Sequence, residues 1–268
     1  MHHLVRDPDE DAPAIVELRR RMDEFYSTTS TYQAFEEPVD QSGWFALFQP
    51  QLAKLLAMKN RIRVLELGAG RSVFGTFARE FRERMEYHVQ DVTPKNCEHL
   101  QSQADHVHIG DLREIAGKFD LIFHTFVFEH VSAPRSFLEQ IKNRLEPGGF
   151  HVIVCPRYDL PGYVCPSMRH ISRLGQMMHS VFLASTRAMA RIDRRARFWV
   201  NADPAVLHVQ WYRDADAVHL VSRFDVEQWH RRNGFEVASL FAGASGYKWI
   251  QRKMVLAIAC RNTGGTGN

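Results

Sequence analysis

Residues 62–75 read IRVLELGAGRSVFG, and this stretch decides the fold. Arg63-Val64-Leu65-Glu66-Leu67 has strand character, Gly68-Ala69-Gly70 turns the backbone, and a helical pattern follows. Glycines at such a turn let the chain bend tightly and approach a ligand with no Cβ in the way. A second strand, Tyr87-His88-Val89-Gln90-Asp91, closes on an acid 25 residues after Glu66. That separation suits one βαβ unit, in which an acid at the second strand tip grips ribose hydroxyls.

The details of the loop narrow the kind of nucleoside it suits. A dinucleotide fingerprint needs a further glycine three residues after the second. Here Arg71-Ser72-Val73 follow Gly70, and the next glycine, Gly75, comes two positions late. Glu66, just ahead of the glycines, would repel a pyrophosphate and attract a cationic group. The loop therefore favours an uncharged or cationic adenosyl group over NAD or FAD, with a ligand-free turn as the bland alternative.

A chain of 268 residues suits one large α/β domain, or one domain with an insertion. With 45% hydrophobic and 24% charged residues it falls outside the disordered and fibrous classes. No stretch approaches the roughly 18-residue apolar run of a membrane span. The opening MHHLVRDPDEDAPA lacks the apolar core of a secretory signal. Cys97, Cys155, Cys165 and Cys260 are scattered, with no Cys-x-x-Cys pair, and are expected as free thiols of a reducing cytoplasm rather than zinc ligands. The formal net charge is +3, yet residues 169–197 carry seven arginines and one aspartate, leaving the remainder net negative. A local basic surface is expected, without steering of nucleic acid by the whole chain.

Residues 12–26 and 44–58 have helical spacing ahead of the glycine strand. Ser72 to Arg84 reads as the first crossover helix, and His106–Ile109, Phe119–Phe123 and Phe150–Cys155 as further strands. Ser136 to Leu145 reads as a helix that stops at Glu146-Pro147-Gly148-Gly149. The alternation implies a parallel sheet covered on both faces. It breaks over 156–222 and returns with a helix at 225–233, a strand at 235–240 and a last strand at 253–260. The expected organisation is an N-terminal helical cap (1–59), a core (60–155 and 223–260), a lid-like insertion (156–222) and a flexible tail (261–268).

The order of these pieces resembles the class I S-adenosylmethionine-dependent methyltransferases, small-molecule branch. The resemblance covers residues 60–155 and 223–260 through VLELGAG (64–70), VQDV (89–92), HIGDL (108–112), FDLIFHTFVFEHV (119–131), LEPGGFHVIV (145–154) and NGFEV (233–237). It implies a doubly wound, Rossmann-like sheet of seven mostly parallel strands with an antiparallel last strand. It implies that Gly68, Ala69 and Gly70 pass under the homocysteine part of S-adenosylmethionine, with Glu66 nearby. Asp91 would bind the ribose hydroxyls and Val92 would pack on adenine. Asp111 would accept from the adenine amino group, with Leu112 against the ring, and the backbone around His124 and Thr125 would meet the methionine ammonium.

Methyl transfer is an in-line displacement at a sulfonium, so the protein mainly aligns the nucleophile and excludes water. Oxygen and nitrogen acceptors often also need a base, for which histidine is suited. His130, just past the 119–123 strand, is the candidate, and a hydrogen bond that fixes its loop is the other reading. His124, His208 and His219 compete, and Arg157 and Tyr158 follow the 150–155 strand at another mouth position. Glu129 with His130 lacks the third ligand of a metal site, so no metal is expected. Tyr26, Tyr32 and Trp44 could join the insertion in a lid. The 171–198 segment, apolar and basic, admits a solvated face over a packed stripe, a membrane-surface contact, or an anionic-substrate or partner surface. No Asn-Pro-Pro-Tyr or Asp-Pro-Pro-Tyr follows the 119–123 strand, which argues against amino groups of bases or glutamine. The expectation is a cytoplasmic methyltransferase acting on a small molecule, most readily at oxygen of a sugar or secondary metabolite. Carbon or nitrogen methylation, another use of the cofactor on the same fold, or a scaffold that has lost the chemistry, are the alternatives.

Overall fold

Strand and helix alternate in the order β1 (Leu4–Arg6), α1 (Pro13–Thr28), α2 (Ser42–Met58), β2 (Ile62–Leu67), α3 (Phe74–Phe77), β3 (Met85–Asp91), α4 (Cys97–Gln103), β4 (His106–Ile109), β5 (Phe119–Thr125), α5 (Pro134–Arg144), β6 (Leu145–Pro156), α6 (Arg173–Asp193), β7 (Trp199–Asn201), α7 (Arg223–Arg232), β8 (Phe235–Ser239) and β9 (Val255–Asn262). This computed structural model describes residues 3–28, 42–160, 162–207, 216–241 and 253–264. Seven strands form one sheet in the order β4-β3-β2-β5-β6-β9-β8. Strands β2 to β6 pair in parallel, and β9 inserts antiparallel between β6 and β8. The sheet expected from the motif order is therefore the one present.

Both faces are covered, so the central strands are buried; every residue of β5 is, including Asp120, His124 and Thr125. On one face α2 and α3 bring Phe45, Phe48 and Phe74 against Phe123, with the Phe74 and Phe123 rings 4.6 Å apart. On the other, Leu138 and Ile141 of α5 and Val226 and Trp229 of α7 meet Ile122 and Ile153. Each fully buried side chain of this size contributes about 1.5–3 kcal/mol.

Several boundaries differ from the sequence reading, among them β6, which begins at Leu145 rather than Phe150. The expected 72–84 helix is only the single turn α3 followed by a 3-10 turn over Arg79–Arg84. The short α3 packs closely on α4, where a Cβ on Gly75 would lie 2.3 Å from the Gln103 carbonyl oxygen. Arg84 then leaves the helical path to donate to the carbonyls of Leu56, Lys59 and Asn60, closing the end of α2. The last strand runs two residues further than expected, because Arg261 and Asn262 pair with Glu236 and Phe235.

The residues before 60 go to two places. Helix α2 belongs to the sheet, whereas α1 packs Ile15, Leu18 and Met22 against Val200, Ala202, Val206 and Val218 of the 156–222 region. Strand β1 pairs antiparallel with β7 beside this third core. Buried Arg21 reinforces the joint by donating to the carbonyls of Asp203, Pro204 and Val206.

Three histidines form a buried chain behind β5. His124 Nε2 lies 3.2 Å from His151 Nε2, and His151 Nδ1 lies 3.0 Å from His230 Nε2. His230 Nδ1 donates to the Val226 carbonyl, so each link runs one way if all three rings are neutral. Burial enforces that neutrality, lowering the pKa of His124 to about 3, of His230 to about 4 and of His151 well below its usual value. His219, which donates to the Phe128 carbonyl, is likewise lowered by burial to about 3. In the unfolded chain these rings titrate near 6.5, so the unfolded state takes up protons first on acidification. Urea unfolding should therefore show stability falling as pH drops from 6.5 toward 4, by up to about 1.4 kcal/mol per pH unit for each histidine. His219→Gln should reduce that slope; an unchanged slope would contradict the buried neutral state.

Candidate active site

The carboxyl ends of β2, β3, β4 and β5 meet along one edge, and the end of β3 organises it. Gly68 N–H donates to Gln90 Oε1 (3.1 Å), Ala69 N–H to the Gln90 carbonyl (2.9 Å) and Gly70 N–H to Asp91 Oδ2 (2.7 Å). The Gln90 amide also donates to the Gly110 carbonyl, while Gly110 N–H donates to the Asp91 carbonyl. Two adjacent residues thus tie the glycine loop, the β3 tip and the β4 tip together. Asp91 Oδ1 accepts from Thr93 N–H. Burial raises the pKa of this carboxyl, against the opposing backbone hydrogen bonds.

Gly68 has φ +60°, and a Cβ there would lie 2.6 Å from a Val127 methyl, so only glycine fits between β2 and the turn after β5. Above Gly70 the space is open, with nothing within 4 Å of an added Cβ. Val92 is exposed beside Asp91, and Ile109 and Phe126 are exposed at the tips of β4 and β5. An open glycine cradle edged by exposed apolar side chains and a buried carboxylate fits an adenosyl group.

Glu66 lies behind this loop. Its carboxyl accepts from the Ser72 hydroxyl at 2.8 Å and from the Tyr87 hydroxyl in a very short contact. Burial raises its pKa to about 8, despite these opposing hydrogen bonds. Ser72 Oγ in turn accepts from Phe74 N–H at the start of α3. Ser72, in the stretch that departs from a further glycine, therefore clamps Glu66 and links it to the first residue of α3.

Asp111 sits at the β4 tip, where it accepts from the backbone and guanidinium of Arg113. Burial would raise its pKa, but Arg113 more than offsets this and lowers it. Leu112 is buried in the core beside it. The His124 side chain points away from this edge into the histidine chain, which leaves only its backbone near the β5 tip, and Thr125 is buried there. Phe126 follows at φ +57° and meets Trp44 edge to face, with centroids 5.3 Å apart.

His130 is largely buried, with Nδ1 3.1 Å from Asp216 Oδ2; the Tyr26 hydroxyl donates to the same oxygen at 2.8 Å. Burial opposes charge on the imidazole, yet Asp216 and then Glu129 more than offset it and raise the pKa to about 10. His130 is thus held as an imidazolium that joins the β5 loop, α1 and the end of the 156–222 region. Arg157 forks onto Asp159 and Tyr158 is buried, while Tyr32 and His208 lie outside the described residues. Sequence reasoning missed the roles of Gln90, Tyr87, Ser72 and Asp216, whose partners all lie on other elements or loops.

Among the described residues, Glu86, His88 and His106 have ligand atoms within 4.8 Å of one another and could hold a metal ion. They sit at the amino ends of β3 and β4, remote from the glycine edge. The Arg63 guanidinium, 3.4 Å from both Glu86 and His88 Nε2, already supplies a cation there.

This geometry agrees with the comparisons. Residues 41–240 match a family model described as a methyltransferase domain. The chain belongs to this family and is a class I S-adenosylmethionine-dependent methyltransferase. Its fold is similar to the plantazolicin methyltransferase BpumL, crystallised with a pentazolic desmethylPZN analog and SAH, at TM-score 0.55 and 12% identity over 92% of this chain and 98% of that one. It is also similar to the Burkholderia thailandensis 1,6-didemethyltoxoflavin-N1-methyltransferase, at TM-score 0.51 and 16% identity over 96% and 93%. No curated protein matches the chain by sequence.

Because the folded pKa of Glu66 is raised, its stabilising contribution is full below about 4.5 and is lost as pH rises through about 8. Glu66→Gln keeps an acceptor for Ser72 and Tyr87 and cannot ionise. Urea unfolding should find it within about 1 kcal/mol of the parent at pH 5 and more stable by over about 1 kcal/mol at pH 9.

Proposed function

We propose that this enzyme methylates an oxygen of a small-molecule acceptor, a sugar or secondary metabolite, bound in front of the β5 tip. The observation that carries the reading is the convergence of His130, Asp216 and Tyr26 beside the glycine edge. BpumL and the toxoflavin N1-methyltransferase, crystallised with small-molecule ligands, support a small-molecule acceptor, while oxygen as the acceptor atom rests on the His130 site alone. The residues of 156–222, with α1 and Trp44, would form the substrate-facing wall.

S-adenosylmethionine supplies an electrophilic methyl group on sulfur. Gly68, Ala69 and Gly70 would let its homocysteine part approach the backbone, while the Thr125 region meets the ammonium. Each Asp91 oxygen uses one acceptor site on an N–H and keeps another for a ribose hydroxyl. Val92 would cover adenine, with Asp111 and Leu112 at its far edge. Glu66 acts from behind, fixing the loop. His130 is assigned a different role from a resting base: the acceptor hydroxyl would give its proton to solvent, and His130 as an imidazolium would steady the resulting oxyanion while it takes the methyl group and S-adenosylhomocysteine leaves.

Calorimetry should find that S-adenosylmethionine and S-adenosylhomocysteine bind and NAD does not. Asp91→Ala should weaken the first two by about 1.5–3 kcal/mol, tenfold or more; unchanged affinity in a folded variant would remove Asp91 from the site.

S-adenosylhomocysteine release across a panel of hydroxylated acceptors, with product mass and position, tests oxygen as the acceptor atom. On the best acceptor, turnover should fall as pH rises through about 10 and His130 loses its proton. Turnover that climbs toward that pH, and loses the climb in His130→Gln, would instead make it a base.

A further inference from the structure

Helix α6 carries apolar side chains on both of its long faces. It buries His179, Leu183 and Ala190 against the protein. At 3.6 residues per turn the opposite side holds Leu174, Met177, Met178, Val181, Met189 and Ile192. These are exposed, Leu174 by 65%, Val181 by 63% and Ile192 by 84%. An outward helix face on a globular protein is ordinarily polar. Here no charged residue interrupts the strip; the small residues Ala184, Ser185 and Ala188 complete it, and Arg173 and Arg191 stand at its edge.

The surroundings of the strip are cationic. Arg169 and Arg173 flank its first turn and Arg191, Arg194 and Arg195 its last, all exposed. The only acid between residues 169 and 197, Asp193, is taken up by an ion pair with Arg197. A second copy of this chain would bring two such arginine fringes together, which disfavours self-pairing. An anionic lipid surface instead matches both features: apolar side chains enter the boundary between headgroups and acyl chains, and guanidinium groups reach the phosphates. No described helix is long and apolar enough to cross a membrane, so the contact is one of lying on the surface.

We propose that α6 docks this enzyme on an anionic membrane surface. The test uses the full chain with vesicles of phosphatidylcholine alone or with about one-third phosphatidylglycerol. Flotation should recover the protein with the anionic vesicles and not the neutral ones, with recovery falling several-fold as salt is raised to about 0.5 M. The double variant Met178→Glu/Val181→Glu should lose roughly tenfold or more of its vesicle binding, with an unchanged unfolding midpoint. No binding, equal binding to neutral vesicles, or a double variant that binds like the parent would overturn the proposal. So would a parent that sediments as a dimer and a double variant that sediments as a monomer, which would give the face to a second copy.

Discussion

The glycine loop has no regular structure of its own, and its position depends on two consecutive residues of the neighbouring strand. Gly68, Ala69 and Gly70 each direct an N–H at Gln90 or Asp91. These three bonds, of which only that of Ala69 starts from a buried residue, hold the loop in place without help from a ligand. The arrangement also locks strand register: β2 and β3 pair in parallel with Leu67 opposite Gln90. A slip of one residue would exchange the faces of Gln90 and Asp91 and leave the loop with the wrong acceptors.

That dependence explains what could be read in advance. The glycine turn, the acid at the strand tip and the alternation of strands and helices were legible because they are local demands written in consecutive residues; the antiparallel last strand followed only from the family resemblance. The role of Gln90 was not, since it exists only once β2, β3 and β4 are in register. Asp216 lies 86 residues beyond His130, and nothing near either residue announces the other. The 72–84 segment was misread because its pattern is helical, while the bonds of Arg84 to Leu56, Lys59 and Asn60 exist only in the folded chain.

Burial separates titratable groups that look alike in the sequence. Glu66 suggests a fixed negative charge, but its surroundings hold the carboxyl toward neutrality. His124, His151 and His230 are kept neutral by the same desolvation, whereas His130 keeps its charge because Asp216 faces it. The histidines were too many to choose among by position alone; the partner each meets distinguishes them.

The pairing of β1 with β7 joins residues at opposite ends of a loop of almost two hundred residues. Closing a loop of that length carries a large entropic penalty, and contacts so distant in sequence form late in folding. The central strands, by contrast, meet near neighbours and can assemble first. During synthesis, α1 therefore waits with its apolar face unmatched until the residues around 200–218 have emerged. The third core is complete only once residues from both ends of that loop are present, after the glycine loop and the parallel strands β2 to β6 have been made.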